Sequence, residues 1–512
     1  MSLEEGFEDW ELRHLKKRTR DFGLEDTRKE LEAFLQSKSS GLEKPLRRLS
    51  RIPGFQKTCQ KPECEVCQRT EDLFDNSRDE RPWKVNLELW RWQKECKDIW
   101  LSNGGRGIVK VVTGAGKTVL ALSLISHMKQ ENYPDGGLKS VIVVPNTALL
   151  DQWYEEVQDV LNLEEEDIGV FYGEEKDDTR EKDLMIYVLN SARNELQKHL
   201  ADVEDDVFLV ADECHRFASE KSAELFESTF DYTVGLSATP EREADYGFEE
   251  VLEPNLGETI YEYSYSDARE DGIIPPFHLK RIEVPLQGKE EKKYEELTEQ
   301  LNDLFKIIVN KYPELENAEG SDFLKTLGKL QNKHDDEKLE SYTVLANLRK
   351  EIIHESDSKK SAIRYIINNE ISKDSRTLIF HERKESADEI YDFLLDQDYE
   401  AGIYHTDVSA SDRRKALEDY REGDLNMLVT CKALDEGLDV PDTDVGIIVA
   451  ATSSVRQRIQ RIGRILRRSP GKDYAQIYTI YIKDKEEAIF DKSQMKDLEK
   501  TADEVKVQKL NF

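Results

Sequence analysis

The residues with the clearest chemistry lie where an apolar run ends and a glycine-rich turn begins. The turn reads Thr113-Gly114-Ala115-Gly116-Lys117-Thr118, and an apolar segment follows it. Glycines let consecutive backbone N–H groups face one anion, and the helix after the turn adds its positive N-terminal end. The stretch predicts a phosphate loop in which Lys117 contacts the outer phosphates of ATP and the Thr118 hydroxyl binds Mg²⁺. Because Val111 occupies the first glycine position of the full pattern, this stretch alone leaves a ligand-free turn as the alternative.

An acidic pair follows a later apolar run. Residues 207–211 read as a buried strand, and Asp212 and Glu213 come directly after it. Ligands bind at the carboxyl ends of parallel strands in open α/β sheets. We therefore expect Asp212 to bind Mg²⁺ through water, and Glu213 to orient and deprotonate the attacking water. The alternative is an ordinary acidic loop.

Other polar residues have spacings that fit the same site. Gln93, about twenty residues before the Gly-Lys-Thr turn, has the donor and the acceptor needed to recognise an adenine edge. Arg464 and Arg467 are three residues apart, so a helix would point both the same way. From across a cleft they could stabilise charge on the γ-phosphoryl group. Taken alone, Gln93 reads as a surface residue and the arginines as a solvated or nucleic-acid-facing helix.

Composition limits the class of protein. A chain of 512 residues should contain two to four domains. Its formal net charge of −33 does not indicate nucleic-acid binding, so any polyanion would need a local basic groove. The first ten residues are acidic and lack the apolar core typical of a signal peptide, and no run approaches about 20 apolar residues. Six cysteines do not suggest a disulfide framework, and we expect a cytoplasmic protein without membrane contact.

The motifs together resemble the superfamily 2 helicases. Their XPB-like DNA helicases and type III restriction-enzyme relatives are the most similar group. The resemblance covers about residues 83–485, and its motifs are residues 113–118, 144–145, 212–215, 237–240, 404–406, 433–441 and 457–467.

The resemblance implies an α/β protein with two RecA-like parallel-sheet domains in tandem and ATP between them. It implies that Gly437 and Asp439 contact the nucleotide from the second domain, and it favours the role in charge stabilisation for Arg464 and Arg467. It also implies that Ser237, Thr239 and Gln460 couple the nucleotide to nucleic acid. By resemblance, movement is 3′ to 5′ on DNA.

One motif departs from the family pattern. XPB-like proteins usually carry Arg-Glu-Asp soon after the Ser-Ala-Thr motif, whereas residues 242–244 here read Arg-Glu-Ala. A translocase that moves without extensive strand separation therefore remains an alternative to a helicase.

The N-terminal region has a cysteine cluster. Cys59, Cys64 and Cys67 include the C-x-x-C spacing of a zinc knuckle, and His14 or Cys96 is the nearest fourth ligand in sequence. Zinc or a metal cluster and free thiols both fit this pattern.

The predicted organisation has five parts. They are an N-terminal accessory region (1–82), a first RecA-like domain (83–278), a helical insertion (279–372), a second RecA-like domain (373–485) and a charged, helical tail (486–512). In the insertion, Tyr294, Leu297, Leu301, Leu304 and Ile308 share one helical face. The insertion is predicted either to grip a duplex or to act as a spacer.

Three functions fit the sequence. The first is a DNA helicase or translocase in repair, transcription or defence. The second is an RNA-dependent ATPase that remodels RNA. The third is an ATP-gated clamp that binds nucleic acid and recruits a nuclease. We expect DNA to be favoured over RNA, and a nuclease or a repair or transcription protein as partner.

Overall fold

The computed structural model describes residues 83–173, 175–201, 203–240, 247–318, 320–431, 443–449, 455–467, 472 and 474–512. Several predicted features lie outside these residues. They are the accessory region with Cys59, Cys64, Cys67 and His14, the Arg-Glu-Ala motif at 242–244, and the predicted nucleotide contacts Gly437 and Asp439.

The first lobe is built on strands β1 (Arg106–Val111), β2 (Leu138–Val144), β3 (Ile168–Tyr172), β4 (Glu175–Lys176), β5 (Leu184–Val188), β6 (Asp206–Asp212), β7 (Tyr232–Ser237) and β8 (Thr259–Tyr263). Within the described residues they form one sheet in the order β4-β3-β5-β2-β6-β7-β1-β8. Neighbouring strands from β3 to β8 pair in parallel, and β4 is antiparallel to β3. All seven residues of β2 are buried, as expected of a parallel strand covered on both faces.

The helices of the first lobe are α1 (Arg91–Ser102), α2 (Lys117–His127), α3 (Thr147–Leu161), α4 (Leu189–Leu200), α5 (Glu220–Ala223), α6 (Glu253–Leu256) and α7 (Tyr265–Glu270). Helix α3 begins with a side-chain cap at Asn146. The Asn146 side chain accepts a hydrogen bond of 3.0 Å from Leu149 N, which satisfies an N–H group that the helix itself leaves unpaired.

The second lobe contains β9 (Phe277–Val284), β10 (Thr377–His381), β11 (Ala401–Tyr404), β12 (Met427–Cys431), β13 (Val445–Ile448), β14 (Ala475–Ile482) and β15 (Glu504–Lys509). In the described part of the chain these seven strands form a parallel sheet in the order β11-β12-β10-β13-β14-β9-β15. Between β9 and β15 lie α8 (Gly288–Lys311), α9 (Gly320–Lys333), α10 (Glu337–His354), α11 (Asp357–Asn369), α12 (Lys384–Asp396), α13 (Ala410–Glu422), α14 (Val455–Ile465) and α15 (Ser493–Thr501).

The second sheet includes strands from outside the predicted limits of its domain. Strand β9 begins two residues before the segment predicted to be a helical insertion and continues into it, and β15 lies in the tail predicted to be helical. The tail does form α15, but Glu504-Val505-Lys506-Val507 alternates with the two-residue period of a strand. Strand β15 pairs with β9 along the edge of the sheet, where charged side chains are common.

Helices α8, α9 and α10 form a unit with its own apolar core. Leu297, Leu301 and Ile308 are buried along α8, as the helical spacing predicts. The core of the unit consists of Ile308, Tyr312, Leu315, Leu327, Leu330 and Leu339. Whether this unit grips a duplex stays a prediction.

The connection between the lobes is tied to its surroundings by side-chain contacts. Asp271 accepts hydrogen bonds of 2.8 Å from Arg91 Nη2 in α1 and from the Tyr263 hydroxyl at the end of β8. Arg269, in α7, pairs with Asp503 just before β15 at 3.0 Å. These contacts link the connection to the first lobe on one side and to the edge strand of the second on the other.

None of the helices in the described residues is both long enough and apolar enough to cross a membrane.

Candidate active site

Strand order brings the predicted site residues together. Strand β7 lies between β1 and β6, and the three are parallel, so their carboxyl ends meet at one edge of the sheet. The phosphate loop follows β1, Asp212 ends β6 with Glu213 next, and Ser237 ends β7. A ligand-binding crevice is expected at this edge in an open α/β sheet.

The loop after β1 has the backbone of an anion cradle. Gly114 and Gly116 have φ angles of +83° and +74°, a backbone region that residues other than glycine rarely adopt. Helix α2 begins at Lys117, so its N-terminus is adjacent to the loop. Ala115 is buried and Thr118 is partly buried in the first turn of α2. The residues present therefore fit the triphosphate of ATP, with the Thr118 hydroxyl and Asp212 available for Mg²⁺.

Gln93 is part of this site, but half of its amide is used within the protein. Its Nε2 donates to Gly116 O at 2.9 Å, and its Oε1 accepts from Trp90 N at 2.8 Å. The side chain is therefore buried against the phosphate loop. The role of Gln93 in adenine recognition therefore stays a prediction.

Lys117 and Glu213 face each other across the end of β7. Lys117 Nζ lies 3.5 Å from Glu213 Oε1, and both side chains are mostly buried. Burial alone would raise the pKa of Glu213, but Lys117 and His215 outweigh it and hold that pKa below its usual value. Glu213 is thus a carboxylate in the site. Its backbone is left-handed, with φ at +46°, a conformation often found at functional sites.

Asp212 is held by two hydrogen bonds. Trp153 Nε1, from α3, donates to Oδ2 at 2.8 Å, and Glu213 N donates to Oδ1 at 2.9 Å. Burial and the neighbouring charge of Glu213 raise the pKa of Asp212 to about 6. Each oxygen keeps a lone pair, so the carboxylate can still accept a hydrogen bond from a metal-bound water.

A polar chain connects the acidic loop to the end of β7. His215 Nδ1 lies 3.3 Å from Glu213 Oε2 and shares a hydrogen bond of 3.1 Å with Ser237 Oγ. Ser237 Oγ also accepts from Thr239 N at 3.1 Å. His215, Ser237 and Thr239 are all buried. The arrangement gives Ser237 and Thr239 a physical link to Glu213, which their predicted coupling role requires.

The arginine segment differs in one respect from the prediction. Helix α14 ends at Ile465, so Arg467 lies two residues beyond it, and the single helix that the spacing predicts does not contain both arginines. Arg464 is buried within α14, and Gln460 is half-buried. The three-residue spacing of the arginines did not predict this end, because the motif continues past the last helical residue.

The arginine segment packs directly on the phosphate loop. A Cβ atom added to Gly463 would overlap Thr113 Oγ1, and one added to Gly114 would lie 3.2 Å from Arg467 Cγ. Nearby, the buried Tyr265 hydroxyl donates to Ile459 O at 3.4 Å. Burial lowers the pKa of Arg467, and Glu156 in α3 opposes that effect. The second lobe therefore places Arg467 next to the loop where the first lobe would hold phosphates.

Sequence reasoning missed two members of the site. In the sequence, Trp153 reads only as an apolar helix residue and His215 only as part of a motif. A side chain that donates to a distant carboxylate produces no periodic pattern in the sequence. Cys96, a predicted fourth metal ligand, is buried in α1, where burial raises the pKa of its thiol to about 12. No cluster of metal-binding side chains occurs among the residues that the structure describes.

Two models of known protein families match this chain, one in each lobe. The family model for the res subunit of type III restriction enzymes matches residues 86–242, and the helicase conserved C-terminal domain matches residues 358–469. The helicase domain of Pyrococcus furiosus Hef superposes with a TM-score of 0.52 at 19% identity, covering 79% of this chain and 97% of that one. At this identity the likeness bears on the fold alone.

Two curated relatives are more informative. The DNA 3′-5′ translocase XPB2 of Sulfurisphaera tokodaii is 30% identical over 403 residues, 78% of this chain and 83% of that protein. The DNA 3′-5′ helicase XPB of Kineococcus radiotolerans is 24% identical over 402 residues, which are 77% of this chain but 59% of that protein.

The two parallel-sheet lobes and the site between them define a helicase of superfamily 2, a class of nucleic-acid-dependent ATPase that uses ATP and Mg²⁺. Within that class the chain belongs to the XPB-like family, as its motifs suggested.

Glu213→Gln should leave ATP binding intact and lower turnover by about 10²–10⁴-fold, the usual contribution of a general base. The amide cannot take a proton from water, whereas Lys117 stays free to contact phosphate. Binding of labelled ATP and steady-state hydrolysis test this, with Glu195→Gln on α4, a half-buried carboxylate paired with Lys198, as the control. Unchanged turnover in Glu213→Gln would remove Glu213 from its assigned role.

Gly463→Ala should lower kcat by about 10²-fold with little change in ATP affinity, because a methyl group there pushes the arginine segment off Thr113. Gly328→Ala in α9 is the matched control, since no atom lies within 4 Å of its added Cβ. Equal kcat values for the two variants would contradict a working contact between α14 and the phosphate loop.

Proposed function

We propose that the chain is an ATP-driven motor on DNA that moves 3′ to 5′. The named activities of the Sulfurisphaera tokodaii and Kineococcus radiotolerans relatives support both the substrate and the direction. The single observation that carries the motor is the docking of the arginine segment on the phosphate loop, which joins the two lobes at the nucleotide site.

Each site residue has a role in this proposal. The loop from Thr113 to Thr118 binds the triphosphate, and Thr118 and Asp212 hold Mg²⁺, which offsets phosphate charge when bound. Glu213 orients the attacking water and takes its proton. Arg464 and Arg467 stabilise the charge that develops on the γ-phosphoryl group, as arginine fingers do.

The contact between lobes converts hydrolysis into movement. Phosphate attracts Arg467 toward the loop, so ATP favours the docked lobes, and loss of the γ-phosphate removes that attraction. Ser237 and Thr239, joined to Glu213 through His215, lie where a change at the site reaches the end of β7. DNA held through its phosphates across both lobes would then be passed along, with weak sequence preference.

The other functions predicted from the sequence are less well supported. The named relatives act on DNA, which does not favour an RNA-dependent ATPase. A clamp would not need arginines placed on the phosphate loop. The Arg-Glu-Ala motif at 242–244 keeps translocation without extensive unwinding as an alternative form of this motor.

Steady-state hydrolysis should rise several-fold with DNA and should respond little to RNA. The measurement compares no nucleic acid, single-stranded DNA, duplex DNA and RNA, with Lys117→Ala as the blank. The DNA effect should fall as salt rises, because phosphate contacts release counterions. Stimulation by RNA alone, or by none of the three, would overturn a DNA motor.

Metal binding by the N-terminal cysteines, the cellular location and the partner proteins stay predictions. We propose that Cys59, Cys64 and Cys67 bind one zinc or iron centre. Metal analysis of the purified full chain, before and after chelation, should then show about one equivalent that is lost in Cys64→Ser. Metal below half an equivalent would mean free thiols. A cytoplasmic location and a nuclease or repair partner are proposed on the sequence alone.

A further inference from the structure

Helix α14 carries a buried arginine to which the nucleotide site gives no role. Arg458 lies six residues before Arg464, roughly 9 Å along the helix, and none of its surface is exposed. Its three side-chain nitrogens make no hydrogen bond to any residue that the structure describes. A buried guanidinium without hydrogen bonds is costly, so an apolar side chain of similar length would favour stability more. The charge at this position therefore needs a reason other than stability.

The aromatic partner of Arg458 lies in the tail. The guanidinium is 5.5 Å from the centre of the Phe490 ring, which is buried in the 3₁₀ turn Glu487–Asp491 after β14. The guanidinium of Arg281, in β9, is 4.0 Å from the centre of the same ring. A cation over an aromatic face is attracted by the ring, and the attraction is larger where water is excluded. Phe490 therefore joins α14 to strand β9.

Glu486, the residue before that turn, supplies the opposite charge. Burial lowers the pKa of Arg458 to about 10 and Glu486 opposes that effect, so the arginine stays charged at neutral pH. The Glu486 carboxylate accepts hydrogen bonds of 2.9 Å from Lys359 Nζ in α11 and 2.6 Å from Ile482 N at the end of β14. The arginine is thus attracted to a charge whose position is set by the sheet and by α11.

The other end of α14 has little tolerance in position. A Cβ atom added to Gly463 would overlap Thr113 Oγ1, and Arg467 lies next to Gly114. A displacement of about 1 Å in a site can lower a rate by about 10²-fold. Because an α-helix moves largely as a unit over two turns, an anchor at Arg458 sets where Gly463 and Arg467 meet the loop.

We propose that Arg458 is a positioning residue, which holds α14 against Phe490 and Glu486 of the tail so that the helix meets the phosphate loop in register. The proposal rests on the nucleotide site and the function proposed above. It gives the tail a part in ATP hydrolysis. The charge of Arg458 is then kept for the geometry of α14 and not for the stability of the lobe.

The first test separates position from stability. Arg458→Met removes the charge and keeps most of the length of the side chain. It should lower kcat by about tenfold, leave the Kd of ATPγS within about twofold, and leave the melting temperature unchanged or higher. Arg458→Lys should recover most of the kcat, because an ammonium group is also attracted by an aromatic face. Steady-state hydrolysis, calorimetry and thermal unfolding of the full chain measure these effects.

Phe490→Leu tests the same contact from the tail. It keeps Arg458 and an apolar side chain in the core, and it should lower kcat as much as Arg458→Met does. The double variant should be no slower than either single variant, because the two side chains act as one contact. Arg364→Met is the matched control, since Arg364 in α11 lies 5.2 Å from the Phe393 ring in α12. Its kcat should equal that of the wild type.

Hydrogen exchange gives a readout that needs no turnover. The amides of α14 should exchange about tenfold faster in Arg458→Met than in the wild type, whereas those of the core strand β10 should not change. A wild-type protein that hydrolyses no ATP with DNA would reject the proposed motor, and exchange in α14 would still decide the role of Arg458.

Two results would overturn the positioning role. One is an Arg458→Met protein with the kcat and the α14 exchange of the wild type. The other is a parallel loss of kcat and melting temperature in Arg458→Met that Arg458→Lys does not reverse, which would make Arg458 a packing residue only.

Discussion

The site depends on an ion pair between the ends of two strands that are not neighbours. Lys117 follows β1 and Glu213 follows β6, and β7 separates them in the sheet. Two charges withdrawn from water are costly unless they remain together, so each residue constrains the position of the other. The same lysine is the group that a phosphate would attract. Glu213 thus holds Lys117 in place until a phosphate takes over the contact with the lysine. The carboxylate that is then released is the one that we assign to the attacking water.

A second constraint is the lack of side chains where the lobes meet. Gly463 and Gly114 lie where the lobes touch, and a methyl group at either would contact the opposite lobe. Because packed interfaces have few intermediate arrangements, small residues here allow the arginine segment either to rest on the loop or to leave it. The position of Arg467 beyond the end of α14 places it next to the loop rather than along the helix.

Much of this arrangement could be predicted from local patterns. The apolar run at 207–211 located β6, and the glycine-rich turn located the start of α2, because both signals lie within a few residues of sequence. Strand β15 was not predicted, because the tail is rich in charged residues and the alternation of polar and apolar residues in it is short. Its pairing partner β9 is also distant in sequence. Trp153 could not be predicted as a donor to Asp212, since its helix placement fits a core residue equally well. Contacts between distant segments leave no local pattern, which is why strand order came only from the structure.

The position of β9 has a consequence for how the chain folds during synthesis. The strands of the first lobe lie between Arg106 and Tyr263, so that sheet can form as soon as this continuous segment has emerged. Strand β9 emerges next, but both of its neighbours, β14 and β15, are made near the end of the chain. At roughly 5–20 residues per second, the edges of β9 wait for about ten seconds or more before they pair. During that interval the edges of β9 are open to wrong partners, whereas the helical unit of α8, α9 and α10 can already form its own core.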